Sequence, residues 1–248
     1  MVRIDAFVVC VNYAGELSLT LPEMMKHFAT VNVITSMEDG ETTALVRSTG
    51  GNANLIRTGL FYANGATFNK GAAIDAVLRQ RAHAWTALVD ADVLFPRDWR
   101  WPSLLPGNLY TAPRRMCYKP HEHPRPHEII NEDWELYPFK VDHEWAGYLQ
   151  LFHTDDPNYR HQPGYPACYT HAGICDSMFQ QRWPRRRKVR FEQAVLHLGV
   201  DGQNWAGRSS PYLDGSLPAG ADEKRAKLGA FIKGRGHGPD RFAGEMVQ

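Results

Sequence analysis

Two aspartates stand where an apolar run gives out. Residues Trp85 to Pro96 read WTALVDADVLFP, and the short strand Ala87 to Val89 ends directly in Asp90-Ala91-Asp92. Residues i and i+2 of a strand point to the same side, so the two carboxylates can address one cation. Hard oxygen ligands suit Mg²⁺ or Mn²⁺, and either ion can bridge a diphosphate. If the strand is buried and parallel, the pair lies at the carboxyl edge of a sheet, where α/β proteins bind ligands. The plainer alternative is two solvated aspartates in a turn. A second feature precedes them: Asn69-Lys70-Gly71 opens a helix. A lysine at a helix start can complement phosphate or the acidic pair, and Gly71 lets backbone approach closely. The alternative is a surface lysine beside a flexible turn.

Other residues carry chemistry of different kinds. Cys117, His121, His123 and His127 form one cluster, and Cys168, His171 and Cys175 a second of C-x2-H-x3-C spacing. The second is one ligand short of a structural zinc site, which His161 or the first cluster could complete. Eleven histidines in 248 residues also make chance clusters common. The run Arg182-Trp183-Pro184-Arg185-Arg186-Arg187-Lys188-Val189-Arg190 holds six basic residues and no acid. It could steer a polyanion or hold phosphates, or be a solvated charged loop.

The elements that must position these groups follow from the apolar pattern. Ile4 to Val11 is a continuous apolar run, as a buried parallel strand reads. Thr20-Leu21-Pro22-Glu23 predicts a helix start with Thr20 as its cap, and Val31 to Thr35 a second strand. A polar turn, Ser36 to Gly40, leads on to Thr42 to Val46. Asn69 caps a helix expected from about Lys70 to His83. Strand, helix, strand, helix, strand predicts an α/β domain with a mostly parallel twisted sheet and helices on both faces. After Leu105 the chain becomes rich in Pro, His, Tyr and Trp, which predicts an irregular second half on the carboxyl edge. The expected division is a ligand-binding half over 1–105, a catalytic and acceptor half over 106–210, and a Gly-rich tail over 211–248 with one helix, about Ala221 to Lys233.

Composition narrows the classes. Hydrophobic residues make up 43% of the chain, too many for a disordered one. Lys plus Arg is 28 against 27 for Asp plus Glu, a net charge of +1 that excludes a globally basic nucleic-acid coat. No apolar stretch approaches the roughly 20 residues that cross a bilayer, so no integral membrane association is expected. The first residues lack a secretory n-region and h-region, and with only four cysteines a reducing, cytoplasmic setting is expected.

Taken in order, Cys10-Val11-Asn12-Tyr13, Val33-Ile34-Thr35-Ser36 with Asp39, Asn69-Lys70-Gly71, Asp90-Ala91-Asp92, and His197-Leu198-Gly199 with Asn204-Trp205-Ala206-Gly207-Arg208 resemble the GT-A-type glycosyltransferases. They look most like the family-2-like group that uses nucleotide-sugar donors. The resemblance spans roughly residues 4 to 208. It implies a Rossmann-like GT-A fold and a metal-dependent, inverting transfer of a sugar, with the donor expected to be UDP-linked. It implies that Asp92 ligates the ion, that Asp90 shares the ion or sits near the ribose, and that His197 completes the coordination. Val11, Tyr13 and Lys70 would face the donor, Asp39 would read the nucleotide base, and Trp205 and Arg208 would pack over the nucleotide and contact the diphosphate. Asp176, preceded here by Cys175 where the family often has an acid, would be the base, with an N-cap for a helix Ser177 to Arg182 as its plainer role. Tyr148, in Gly147 to His153, would line the acceptor side; a half-buried edge strand is the plainer reading of that segment.

A soluble GT-A enzyme with Arg185, Arg186 and Arg187 beside its acceptor edge would suit a hydroxymethylated pyrimidine in DNA, of the kind bacteriophages make. Such an enzyme would work in the host cytoplasm. The alternatives are a saccharide or protein acceptor. From another class comes a zinc-stapled nucleic-acid-binding module built on Cys117, His121, Cys168, His171 and Cys175. The ordered acidic strand end discriminates, because a binding module has no use for Asp90 and Asp92.

Overall fold

The computed structural model describes residues 2–81, 84–140, 147–167, 171–200 and 203–234. The first half runs β1 (Ile4–Val9), α1 (Ala14–His27), β2 (Thr30–Ser36), α2 (Gly40–Thr49), β3 (Ala53–Thr58), α3 (Lys70–Arg81), β4 (Trp85–Asp90) and β5 (Val93–Leu94). The second runs β6 (Leu109–Thr111), β7 (Arg114–Cys117), β8 (Phe139–Lys140), β9 (Leu149–His153), α4 (Pro157–Arg160), α5 (Cys175–Gln180), β10 (Lys188–Arg190), β11 (Val195–Leu198) and α6 (Ala221–Gly234).

Seven strands form the main sheet in the order β10-β6-β9-β4-β1-β2-β3. β1 lies between β2 and β4, parallel to both, and β3 extends β2 in parallel. Residue alternation explains why the sheet is covered twice. Ile4, Ala6 and Val8 share one core with Leu17, Leu21 and Met24 of α1, while Phe7 joins Ile74 and Leu78 of α3 and Phe179 of α5 in another. A smaller sheet, β5-β11-β7-β8, stands beyond the end of β4.

Several local expectations change. Pro22 lies inside α1 rather than at its start. Its missing N–H forfeits one helical bond, and the buried face of Leu17, Leu21 and Met24 carries the helix through. Thr20 caps nothing; its hydroxyl donates to the Ala91 carbonyl at 2.7 Å. Thr42 to Val46 falls within α2, with Asp39 as its N-cap. The strand from Leu149 is not an edge: β9 pairs antiparallel with β4 and also meets β6. The helix after Asp176 starts earlier than expected, at Cys175, which puts Asp176 in its first turn and Ile174 at the cap. Asn69 caps α3 as expected, accepting from the Ala72 N–H at 2.9 Å. His83 lies outside the described residues.

Candidate active site

The acidic strand end is held from three sides. β9 fixes Asp90, whose N–H donates to the Tyr148 carbonyl at 3.1 Å. α1 fixes Ala91 through Thr20. β5 follows at once and pairs with β11, with Val93 opposite His197, and the Leu198 N–H donates to the Asp92 carbonyl at 2.8 Å. This register carries His197, more than a hundred residues downstream, to the Asp pair: its Nε2 is 3.2 Å from Asp92 Oδ1. One ligand atom from each of Asp90, Asp92 and His197 lies within 4.8 Å of the others. Two carboxylates with an imidazole beside them are a donor set that suits a divalent cation.

Across the cleft stands Asp176. Lys70, at the start of α3, reaches both acids, with Nζ 2.7 Å from Asp90 Oδ1 and 3.5 Å from Asp176 Oδ1. Burial alone would lower the Lys70 ammonium, but the Asp176 and Asp90 carboxylates outweigh it and hold it above its ordinary value. Burial pushes the Asp90 carboxyl up, against the pull of Lys70 and with the push of Asp92 and Asp176. The Tyr165 hydroxyl donates to Asp176 Oδ1. The Asp176 main-chain carbonyl accepts from Gln150 Nε2 at 3.1 Å. Gly147 makes room for this carboxylate: a Cβ there would fall 2.0 Å from Asp176 Cγ. Gly71 plays the close-approach part expected of it, since a Cβ would fall 2.0 Å from the Pro166 carbonyl oxygen.

One open cleft joins these groups. Val11, Tyr13, Lys70, Asp90, Asp92, Tyr148, Asp176, His197, Trp205 and Arg208 all line it, together with Phe68 and Asn204. Most of the residues singled out from the sequence thus meet in one place. Their surroundings differ from expectation in places. Arg208 turns its guanidinium into the protein, pairing through both terminal nitrogens with the Glu16 carboxylate at 2.6 and 2.5 Å and donating to the Asn12 carbonyl at 2.8 Å. It lies between the rings of Tyr13 and Tyr212. Tyr148 is nearly buried, with its hydroxyl on the Ala112 carbonyl and the Arg114 guanidinium over its ring.

Two sets of residues are not brought to the cleft. Asp39 is buried, and its carboxylate accepts from the N–H groups of Asn12 and Thr42 and from the Thr35 hydroxyl. Arg185, Arg186 and Arg187 form a short exposed 3₁₀ turn leading into β10, the outer strand of the sheet, and none of them lines the cleft. The zinc staple is not assembled from the described residues. Cys117 is buried in the small core of the second sheet and Cys175 in the α3–α5 core, while Cys168 lies outside the described residues. His171 accepts the Gly173 N–H at 3.0 Å. Among the described residues, the Asp90, Asp92 and His197 group is the only three-ligand cluster.

Tyr165, Gln150, Arg114 and Glu16 escape sequence reasoning. None sits in a spacing that signals a site: Gln150, Arg114 and Glu16 meet their partners from distant segments, and Tyr165 meets Asp176 across a bend.

No protein-family model matches the chain, and no curated protein matches it in sequence. Solved structures are similar in fold. S. aureus TarS superposes with a TM-score of 0.54 at 9% identity over 82% of this chain, which spans only 37% of the TarS chain. A shorter TarS structure, residues 1–349, gives 0.46 over the same share. Glucosyl-3-phosphoglycerate synthase from Mycobacterium tuberculosis, in complex with Mn²⁺, UDP and phosphoglyceric acid, gives 0.31 at 14% identity over 38% of this chain and 34% of its own. The fold is GT-A-like: a mostly parallel Rossmann-type sheet with helices on both faces.

Proposed function

We propose that this chain is a metal-dependent glycosyltransferase that moves a sugar from a nucleotide-sugar donor to a hydroxyl acceptor, with inversion at the anomeric carbon. One observation carries the reading: Asp90, Asp92 and Asp176 converge on a single cleft from two distant segments of a GT-A-like fold. Asp90 and Asp92 would hold a divalent cation, whose charge would offset that of the departing diphosphate.

The chain's own residues do the rest. Asp176 accepts the proton of the attacking hydroxyl. That oxygen bonds to the anomeric carbon as the bond from carbon to the diphosphate oxygen breaks, and the nucleoside diphosphate departs. Tyr165 and Lys70 both engage Oδ1 of Asp176, which leaves Oδ2 to take the proton. Lys70 also keeps Asp90 and Asp176 from repelling one another across the cleft. Val11 and Tyr13 flank the nucleotide end. Asp39 supports that end from behind, by holding Asn12 between them. Trp205, packed over Gly173, and Phe68 give aromatic walls on which a sugar ring can stack.

A saccharide or other small hydroxyl acceptor is the alternative to DNA. A hydroxymethylated pyrimidine in DNA draws its support from the charge of Arg185, Arg186 and Arg187 alone, and those side chains stand away from the cleft. The experiment is a panel of nucleotide sugars with Mn²⁺, read first by thermal shift and then by donor hydrolysis without acceptor. A shift with one donor, and hydrolysis that Asp92→Ala abolishes, is the expected result. Stabilisation by no nucleotide sugar, or hydrolysis unchanged in Asp92→Ala, would overturn the reading. Saccharide hydroxyls and hydroxymethylated DNA then compete as labelled acceptors.

A further inference from the structure

Each ring nitrogen of His197 faces a group whose hydrogen-bonding sense is known. Nδ1 lies 2.6 Å from a terminal nitrogen of Arg114. A guanidinium carries donors only, so Nδ1 must be the acceptor and hold a lone pair. A neutral imidazole with its lone pair at Nδ1 carries its proton on Nε2. Nε2 lies 3.2 Å from Asp92 Oδ1. A second proton on Nδ1 would set two donors against each other.

The arrangement is braced. Arg114 is fully buried on β7, which pairs in parallel with β11, the strand of His197. Its guanidinium covers the Tyr148 ring at 4.3 Å, and that ring stacks on the imidazole with centroids 6.0 Å apart. A histidine that ligates a metal needs a lone pair on the nitrogen nearest the ion. It ordinarily gives its other N–H to a carboxylate or carbonyl. Here the far nitrogen meets a donor, so the wiring is reversed.

We propose that Arg114 locks His197 in the Nε2–H tautomer, so that His197 has no lone pair to offer a cation at Asp92 and the ion is held by carboxylate and water oxygens alone. This rests on the reading that a cation binds at Asp92. An oxygen-only site prefers Mg²⁺ or Mn²⁺ over ions that favour imidazole, such as Zn²⁺. Arg114 is then a positioning residue that acts through His197.

Two measurements on the full chain test it. In cation-free protein, side-chain ¹⁵N NMR should show Nδ1 of His197 in the unprotonated range and Nε2 in the protonated range, with the signals assigned by their loss in His197→Gln. The opposite tautomer, or two protonated nitrogens, would overturn the proposal. With Mn²⁺ bound, pulsed EPR should show no ¹⁴N coupling from a coordinated imidazole; coupling that vanishes in His197→Gln would overturn it. Arg114→Met frees Nδ1 to carry the proton, and ¹⁴N coupling should then appear. Arg114→Lys, which keeps a donor, should behave like the parent. A folded Arg114→Met chain with unchanged spectra would remove Arg114 from this role. If Arg114→Met does not fold, the two spectra of the parent chain decide. Should Mn²⁺ not bind at all, the glycosyltransferase reading falls, while the NMR of cation-free protein still reports the tautomer.

Discussion

Asp90 and Asp92 share one chemistry and stand two residues apart, yet the fold gives them opposite neighbours. Asp90 already has a cation: Lys70 sits 2.7 Å away, with Asp176 beyond it. Among the described residues Asp92 has no lysine or arginine ion pair; His197 Nε2 stands 3.2 Å from it. A mobile divalent ion would gain most at the second carboxylate, where no described lysine or arginine competes with it. A strand-end acid pair is therefore not a symmetric chelate. One member belongs to the protein's internal charge network, and on the proposed function the other is the carboxylate that takes the cation.

The largest expected effect tests that asymmetry. Asp92→Ala should remove Mn²⁺ binding by EPR titration and reduce Mn²⁺-dependent donor turnover to background, whereas Asp90→Asn should retain measurable Mn²⁺ binding. Equal loss in both variants would make the pair symmetric after all.

Asp176→Asn comes next. A general base typically contributes about 10²–10⁴-fold, so kcat for transfer should fall by that order while donor affinity, read by calorimetry, stays close to the parent. The amide keeps the contact with the Tyr165 hydroxyl but has no charge and little basicity. Gly147→Ala should approach the same phenotype by another route, because its Cβ would occupy the place of the Asp176 carboxylate.

How much of this was legible in the sequence follows the same divide. Asp90 and Asp92 show themselves because an apolar strand that stops in Asp-x-Asp is a local pattern, and Asn69 because a cap is one too. Asp176 and His197 emerge through resemblance of segments, and both reach the cleft. Their partners do not emerge. Arg114 meets His197 through the pairing of β7 with β11, and Tyr165 meets Asp176 across a bend with no signature of its own. The sequence also misleads where composition is loud. The arginine run looks chemical, but charge on an outer strand is stable simply by being solvated. Pro22 looks like a helix start because proline is at home there, and only the buried face of α1 shows that the helix runs through it.

Lys70→Met sharpens the comparison at intermediate size. It leaves Asp90 and Asp176 facing one another with no cation between them, which should lower unfolding stability by about 1–3 kcal/mol in urea titration. Mg²⁺ should restore part of the loss in the variant and add less to the parent, since in the variant the ion also replaces the missing charge at Asp90. The pH dependence has a definite sign. The folded protein holds the Lys70 proton more tightly than the unfolded chain, so the contribution is complete at neutral pH and fades as pH rises past the ordinary lysine value of 10.5. The gap between parent and variant should therefore narrow only in strongly alkaline buffer. A gap that is flat to the alkaline limit would mean that Lys70 acts through packing.

Thr20→Val should give the smallest effect and the finest discrimination. The hydroxyl donates to the carbonyl of Ala91, the one residue between the two acids, at a site with no exposure. Valine keeps the shape and removes the bond, leaving a carbonyl without that donor, at a cost of about 1 kcal/mol. If α1 merely packs against the sheet, stability should fall by that amount and Mn²⁺ affinity should stay unchanged. If α1 sets the direction in which Ala91 holds its neighbours, affinity should fall more at Asp92, which has no internal cation to steady it, than the Lys70 contact at Asp90 loosens. The Lys70 contact reads out as the destabilisation caused by Lys70→Met in the Thr20→Val background. A drop in Mn²⁺ affinity with that Lys70 increment preserved would show that the carboxylate kept for the ligand is the one that depends on the helix behind it.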